Sequence, residues 1–213
     1  MPHLIVDGWN AGHPGSGLAA YAGRLVRAML ARPSALGCPI RVAFPRWYGR
    51  QDLGFDLGAN AVFLRSVRTG HPLLDEILWK NRLGYWSRAS GHILFSPGPF
   101  WSPAAPEKCV VAFHDCIYRH FPHYQGTRAI RKWYLSRTEA FLGRCAAVIT
   151  QSESSRREIV DLLRVEASRI DVIPAWLPPE YSPAPARAGA PAVRRRYALP
   201  PRFWLYVGGF DYR

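Results

Sequence analysis

The sequence predicts an α/β fold built as a doubly wound parallel sheet. Three observations predict it. Short apolar, β-branched runs recur along the chain with the length of buried strands, such as 110–113 (Val-Val-Ala-Phe) and 146–150 (Ala-Ala-Val-Ile-Thr). Stretches between them carry helical spacing, such as 18–30, which sets Leu18, Ala22, Leu25 and Met29 on one face. The two kinds alternate instead of grouping, as parallel strands joined by crossover helices require. With 213 residues and 48% hydrophobic content, the chain can fill one such core and a piece of a second domain.

Residues 3–7 form the first expected strand, followed by a loop, 8–17, with four glycines. The helix over 18–30 ends before Pro33. Loop amides and the start of that helix can meet an anion with nothing bulky between them. The segment Gly15-Ser16-Gly17-Leu18-Ala19-Ala20 is neither the dinucleotide fingerprint nor a Walker loop. Any tight strand-to-helix turn also uses glycine, so spacing leaves both readings open.

Strands are expected at 40–44, closed by Pro45, and at 61–64, with a polar connection over 47–60 between them. Pro72 starts a helix over 73–88, with Leu74, Ile77, Leu78 and Tyr85 on its apolar side. The strand 92–95 runs into the stiff loop 96–101, Ser-Pro-Gly-Pro-Phe-Trp. A basic helix over 127–143 interleaves Arg128, Arg131, Lys132 and Arg137 with Ile130, Trp133, Tyr134 and Phe141. Such a helix can lie on anionic headgroups, or be a solvated face with its aromatics in the core. After the strand 146–150, Ser152 caps a helix over 153–163, and a strand follows at 169–173.

Beyond that the composition changes. Three segments are expected: a domain over 1–173, a Pro/Ala/Arg-rich semi-rigid linker over 174–201, and the first strand of a truncated second domain over 202–213. In that last piece 203–207 reads as the strand and Gly208-Gly209 as its turn.

The net charge is +13, almost all of it arginine, since the only lysines are Lys80, Lys108 and Lys132. Arginine binds planar anions in a bidentate way, so nucleotides, nucleic acid or an anionic membrane are candidate partners; a GC-rich composition would raise the charge without any partner. The arginines are spread out and no nucleic-acid motif appears, so no specific nucleic acid is expected. Cys38, Cys109, Cys116 and Cys145 have no paired spacing and read as reduced core thiols. Neither a signal peptide nor a membrane-length apolar run is seen, which makes the expected location cytoplasmic, with a peripheral position at the inner membrane face as an extension.

The strand at 110–113 ends in His114 and Asp115. In open α/β sheets the ligand crevice lies beyond the carboxyl ends of the strands, so a titratable pair there marks a candidate site. The loop adds Cys116, Tyr118, Arg119, His120 and His123. A zinc site on His114, Cys116, His120 and His123 is a rival, but the spacing fits no usual structural-zinc pattern, and no metal is expected.

Four segments together resemble a known family. Gly15-Ser16-Gly17 with Tyr21, the strand end Val111-Ala112-Phe113-His114-Asp115, the turn Val148-Ile149-Thr150-Gln151-Ser152, and the crossover Asp171-Val172-Ile173-Pro174 with 203–209 are similar, in order and spacing, to the N-terminal half of glycosyltransferase family 4. These are retaining enzymes of GT-B architecture, with two facing Rossmann-like domains. The resemblance implies a nucleotide-sugar donor as substrate, no cofactor, and a glycan or lipid-linked acceptor. It implies that His114 hydrogen-bonds the transferring sugar near the reacting carbon, with Asp115 as its catalytic neighbour that either orients His114 or caps the loop. Gly15, Ser16, Gly17, Gly208, Gly209 and Arg213 would approach the donor diphosphate, and Tyr21, Tyr118 and Ser152 would lie on the acceptor side. An oxocarbenium-like transition state needs no protein nucleophile if the diphosphate oxygen assists. The family's diphosphate-gripping lysine and paired glutamates would fall beyond Arg213, so this polypeptide alone is expected to be inactive. A non-catalytic nucleotide- or lipid-binding module, or a pseudoenzyme, is the alternative.

Overall fold

The computed structural model describes residues 3–12, 16–32, 37–48, 57–99, 101, 106–121, 129–176, 181 and 183–206. The chain divides into two compact units, Met1–Pro174 and Ala175–Arg213.

The first unit holds strands β1 (Leu4–Asp7), β2 (Ile40–Pro45), β3 (Ala61–Leu64), β4 (Ile93–Ser96), β5 (Cys109–Ala112), β6 (Ala147–Thr150) and β7 (Ile170–Val172). Its helices are α1 (Gly17–Ala31), α2 (Pro72–Ala89), α3 (Ile117–His120), α4 (Ala129–Leu142) and α5 (Glu153–Leu163). Every strand pair is parallel, in the order β3-β2-β1-β4-β5-β6-β7. The fold is thus α/β and Rossmann-like, as expected. The chain leaves β1 toward β2 and leaves β4 toward β5, so the order reverses between β1 and β4, where such sheets open a crevice.

Strand alternation sorts the core into two layers. Val6, Val42, Phe44, Phe95 and Ala112 pack with Val26 of α1, and Tyr21, Leu25 and Met29 join them partly buried. Ile5, Ala43, Leu94, Val111, Val148 and Ile170 face the other way, against Trp79 and Leu83 of α2, Phe141 and Leu142 of α4, and Ile159 of α5.

The α2 helix corrects one expectation. Leu74, Leu78 and Tyr85 are exposed, and only Ile77 of that predicted side is buried. The buried side is Trp79, Lys80, Leu83, Gly84 and Ser87. A tryptophan and a lysine's methylene stem displace smaller aliphatics, because Lys80 finds partners inside, as shown below. On α4, Tyr134 and Phe141 enter the core, while Trp133 stays 42% exposed. Arg131, Lys132 and Arg137 are exposed. At about 100° per residue they fall on three sides of the helix, not along one basic face.

In the second unit, α6 (Pro183–Arg196) runs through the stretch read as linker. Its alanines favour helix and Pro183 needs no N–H in the first turn, while Pro191 lies inside it. The strand expected at 203–207 does not form over its described part. Residues 203–206 join no ladder, and Trp204 is fully exposed. A strand is completed by a hydrogen-bonded neighbour, and the described residues of this unit provide none.

Candidate active site

The C-terminal ends of β1, β4 and β5 converge at the reversal point. Gly8 follows β1 because a Cβ there would lie 2.5 Å from the Phe44 ring and 2.8 Å from the Ala43 carbonyl oxygen. Gly98, after β4, has the same constraint. A Cβ on it would meet Asn10 Nδ2 at 2.5 Å and Leu18 Cδ2 at 3.2 Å. The glycine therefore lets the loop after β4 touch both the loop after β1 and the first turn of α1. That turn is capped by Ser16, whose Oγ accepts from Ala19 N at 3.0 Å. Gly17 opens the helix with open space around its Cα.

His114 stands one residue past Phe113, at the end of β5, half-buried. Its Nε2 lies 3.3 Å from the Pro97 carbonyl oxygen. A carbonyl only accepts, so this contact holds the proton on Nε2 and leaves Nδ1 bare in the neutral ring. Nδ1 is buried and has no hydrogen-bond partner among the described residues. The Tyr21 ring of α1 meets the imidazole edge-on, centroids 4.8 Å apart. Burial pushes the His114 pKa below its ordinary value of 6.5, against the opposing effects of Pro97 and Asp115. The imidazole is neutral at pH 7.

The other expected residues are distributed as follows. Asp115 is exposed, and its Oδ1 accepts from Ile117 N at 3.1 Å, so its contact serves the start of α3. Tyr118 is buried, and its hydroxyl donates to Glu139 Oε1 at 2.7 Å. Glu139 also receives Arg119, from Nε at 2.9 Å and from Nη2 at 2.5 Å. Ser152, after β6, caps α5 by accepting from Ser155 N at 3.1 Å. Of the acceptor-side set, Tyr21 touches His114. Gly15, Gly208, Gly209 and Arg213 lie outside the described residues.

The zinc rival can be followed in part. His120 Nε2 is 2.9 Å from Glu158, and Cys116 is fully buried with its thiol pushed up to about 12 by burial. His123 lies outside the described residues, and no three His, Cys, Asp or Glu side chains gather into a metal site among the described ones.

Behind the crevice sits a polar core that sequence reasoning missed. Asp7, at the end of β1, is wholly buried. Its Oδ1 accepts from Trp79 Nε1 at 2.8 Å and from Trp9 N at 3.0 Å. Ser96 Oγ lies 3.3 Å from Asp7 Oδ2 and donates to Gly98 O at 3.1 Å. One hydroxyl proton cannot serve two acceptors, whereas a protonated Asp7 donating to Ser96 satisfies both. Burial raises the Asp7 pKa accordingly, although Lys80, Trp79 and Trp9 pull it down. Lys80 is also fully buried and pairs with Glu76 at 2.7 Å. Its Nζ donates to the Pro99 carbonyl. Burial, the largest single effect, works against the Lys80 charge, but Glu76, Tyr134 and Asp7 together more than offset it and raise the pKa. The Tyr134 hydroxyl reaches both Glu76 Oε1 and Pro99 O at 3.5 Å. Asn10 is a further missed residue: its Nδ2 is buried beside Gly98 without a partner among the described residues. The only available signal was a lysine four residues after a glutamate on a helix.

A family model described as Glycosyltransferase Family 4 matches residues 15–181, more than half of the chain. The chain belongs to Glycosyltransferase Family 4. Its function is therefore of the glycosyltransferase type, with a sugar donor and an acceptor as substrates in general. No curated protein matches the chain. Among the described residues of this family 4 chain, no helix is long and apolar enough to cross a membrane.

Proposed function

We propose that this chain is the acceptor-side half of a glycosyltransferase that moves a sugar from a nucleotide-sugar to a glycan or lipid-linked acceptor. The observation that carries this reading is the neutral, oriented His114 at the strand-end crevice, between Pro97 and Tyr21. A neutral imidazole with one committed N–H offers its other nitrogen to a sugar hydroxyl without adding charge near a cationic centre. The Ser16-capped start of α1 supplies amides to the departing diphosphate. Asn10 Nδ2 adds a donor beside them. Transfer then proceeds without a cofactor, and the nucleotide half completes the site.

The 213-residue chain alone is expected to show no transfer from a panel of nucleotide-sugars to membrane or glycan acceptors. In a form of the protein that does transfer, His114→Ala is expected to slow transfer about 10²–10³-fold. Transfer that is indifferent to His114→Ala overturns the assignment. Exposed Trp133, with Arg137 over its ring at 5.8 Å, favours an acceptor held at an anionic membrane surface. On that reading Trp133→Ala with Arg137→Gln lowers retention on vesicles containing phosphatidylglycerol, and unchanged retention removes the membrane from the proposal.

A further inference from the structure

We propose that Lys80, with Glu76 and Tyr134, is a positioning residue that holds His114 in its Nε2–H form through the 96–99 loop. The inference rests on the reading of His114 as the residue that meets the sugar. No side chain of this trio touches His114. They act on the far end of a four-residue loop whose near end touches it.

The loop is held at each residue. Ser96 Oγ bonds within the loop to Gly98 O and reaches Asp7 of β1. Pro97 presents its carbonyl to His114 Nε2. Gly98 lies against Asn10 and Leu18. Pro99 presents its carbonyl to Lys80 Nζ and to the Tyr134 hydroxyl. The prolines fix φ at 97 and 99, and the otherwise free torsions of Gly98 between them are held by its close packing on Asn10 and Leu18, so a displacement at Pro99 is passed on to Pro97. The Pro99 carbonyl is fastened by a wholly buried ammonium, itself held by Glu76 at 2.7 Å and facing the Tyr134 ring at 5.8 Å. A buried charge of this kind has few places to go, which makes it a rigid anchor. Without it the Pro97 carbonyl is free to drift, and the imidazole loses the contact that selects its tautomer.

The test reads His114 itself, in the chain as it stands. In 1H–15N spectra the wild-type His114 Nε2–H is expected as a slowly exchanging resonance, with ring nitrogen shifts of the single tautomer and titration below 6.5. Lys80→Met is expected to abolish that resonance and move the titration further down, because the Pro97 contact it loosens opposes the effect of burial. The His92 titration serves as the internal standard and stays in place. Tyr134→Phe, which keeps the Lys80–Glu76 pair, is expected to speed Nε2–H exchange at least twofold. It carries the test if Lys80→Met does not fold. In a form of the protein that transfers, Lys80→Met is expected to lower kcat about 10²-fold with little change in donor KM. A folded variant with lower Tm and an unchanged His114 resonance makes Lys80 merely structural and overturns the proposal. If the resonance responds but transfer ignores His114→Ala, the positioning stands and the functional reading falls.

Discussion

Two knots of the same chemistry sit on opposite sides of α4. One joins Tyr134, Glu76 and Lys80, and the other joins Tyr118, Glu139 and Arg119. Each contains a tyrosine hydroxyl, a carboxylate and a cation. They differ in burial: the Lys80 side chain is 0% exposed, and that of Arg119 is 46% exposed. They also differ in what they fasten. The first grips a loop carbonyl next to the crevice, while the second pins the short α3 to α4. Water screens the Arg119 end of the second, whereas the Lys80 end of the first is sealed and only its Glu76 partner is partly exposed, so equal contacts have unequal worth. The comparison teaches that in this domain the ion pair hardest to see from outside is the one that fastens the loop beside the crevice.

The largest effect that tests this difference is Lys80→Met. Removing one partner of a buried pair leaves Glu76 and the Pro99 carbonyl without their cation, at a cost of about 3–5 kcal/mol. Urea unfolding should show it as a lower midpoint with an unchanged slope. The partial exposure of Glu76 places the expected loss at the lower end. A loss below about 1 kcal/mol would put the buried knot in the class of surface pairs and erase the contrast.

Asp7→Asn comes next and carries the opposite sign. Asparagine keeps an oxygen for Trp79 and Trp9 and gives Ser96 a permanent donor, which is the arrangement that a protonated Asp7 supplies. The folded pKa of Asp7 is raised above its ordinary value of 3.8. Its contribution is thus complete below that value and is lost as pH rises through the folded pKa. At pH 7 the variant should melt a few degrees higher, roughly the shift expected from about 1 kcal/mol. At pH 3 the two proteins should melt together. A lower Tm at pH 7 would mean that Asp7 is held as a carboxylate by Lys80.

Periodicity made the sheet legible, and the strand-end rule made His114 legible. Both depend on local sequence, which lies in view. The partners of His114 were hidden because Pro97 and Tyr21 arrive from 17 and 93 positions away, through the strand order. The buried side of α2 was misread for a related reason. Hydropathy ranks Leu74 and Leu78 above Lys80, and only the tertiary placement of Glu76 and Pro99 makes a buried ammonium tolerable. Asp7 reads as the polar end of a strand until Trp79 and Ser96 are seen to enclose it.

The exposed knot gives two smaller tests. Tyr118→Phe removes a hydrogen bond to a charged acceptor, but Glu139 keeps Arg119, so a loss of about 1.5 kcal/mol is expected, at the low end for such bonds. A greater loss would make this hydroxyl, not the ion pair, the main tie of α3.

Arg119→Gln should change least. The guanidinium approaches Glu139 with two nitrogens, yet nearly half of its side chain is in water. Exposed pairs contribute about 0.2–1 kcal/mol, and added salt screens them. Glu139 retains the Tyr118 hydroxyl, so the variant leaves that carboxylate hydrogen-bonded, and the group it removes is the exposed end of the pair. The wild-type advantage should therefore be under about 1 kcal/mol in low salt and should shrink toward zero in 1 M sodium chloride. The Lys80→Met deficit, set inside the fold, should persist at both salt concentrations. If both deficits fall together as salt is added, solvent reaches Lys80 in solution, and burial is not what separates the two knots.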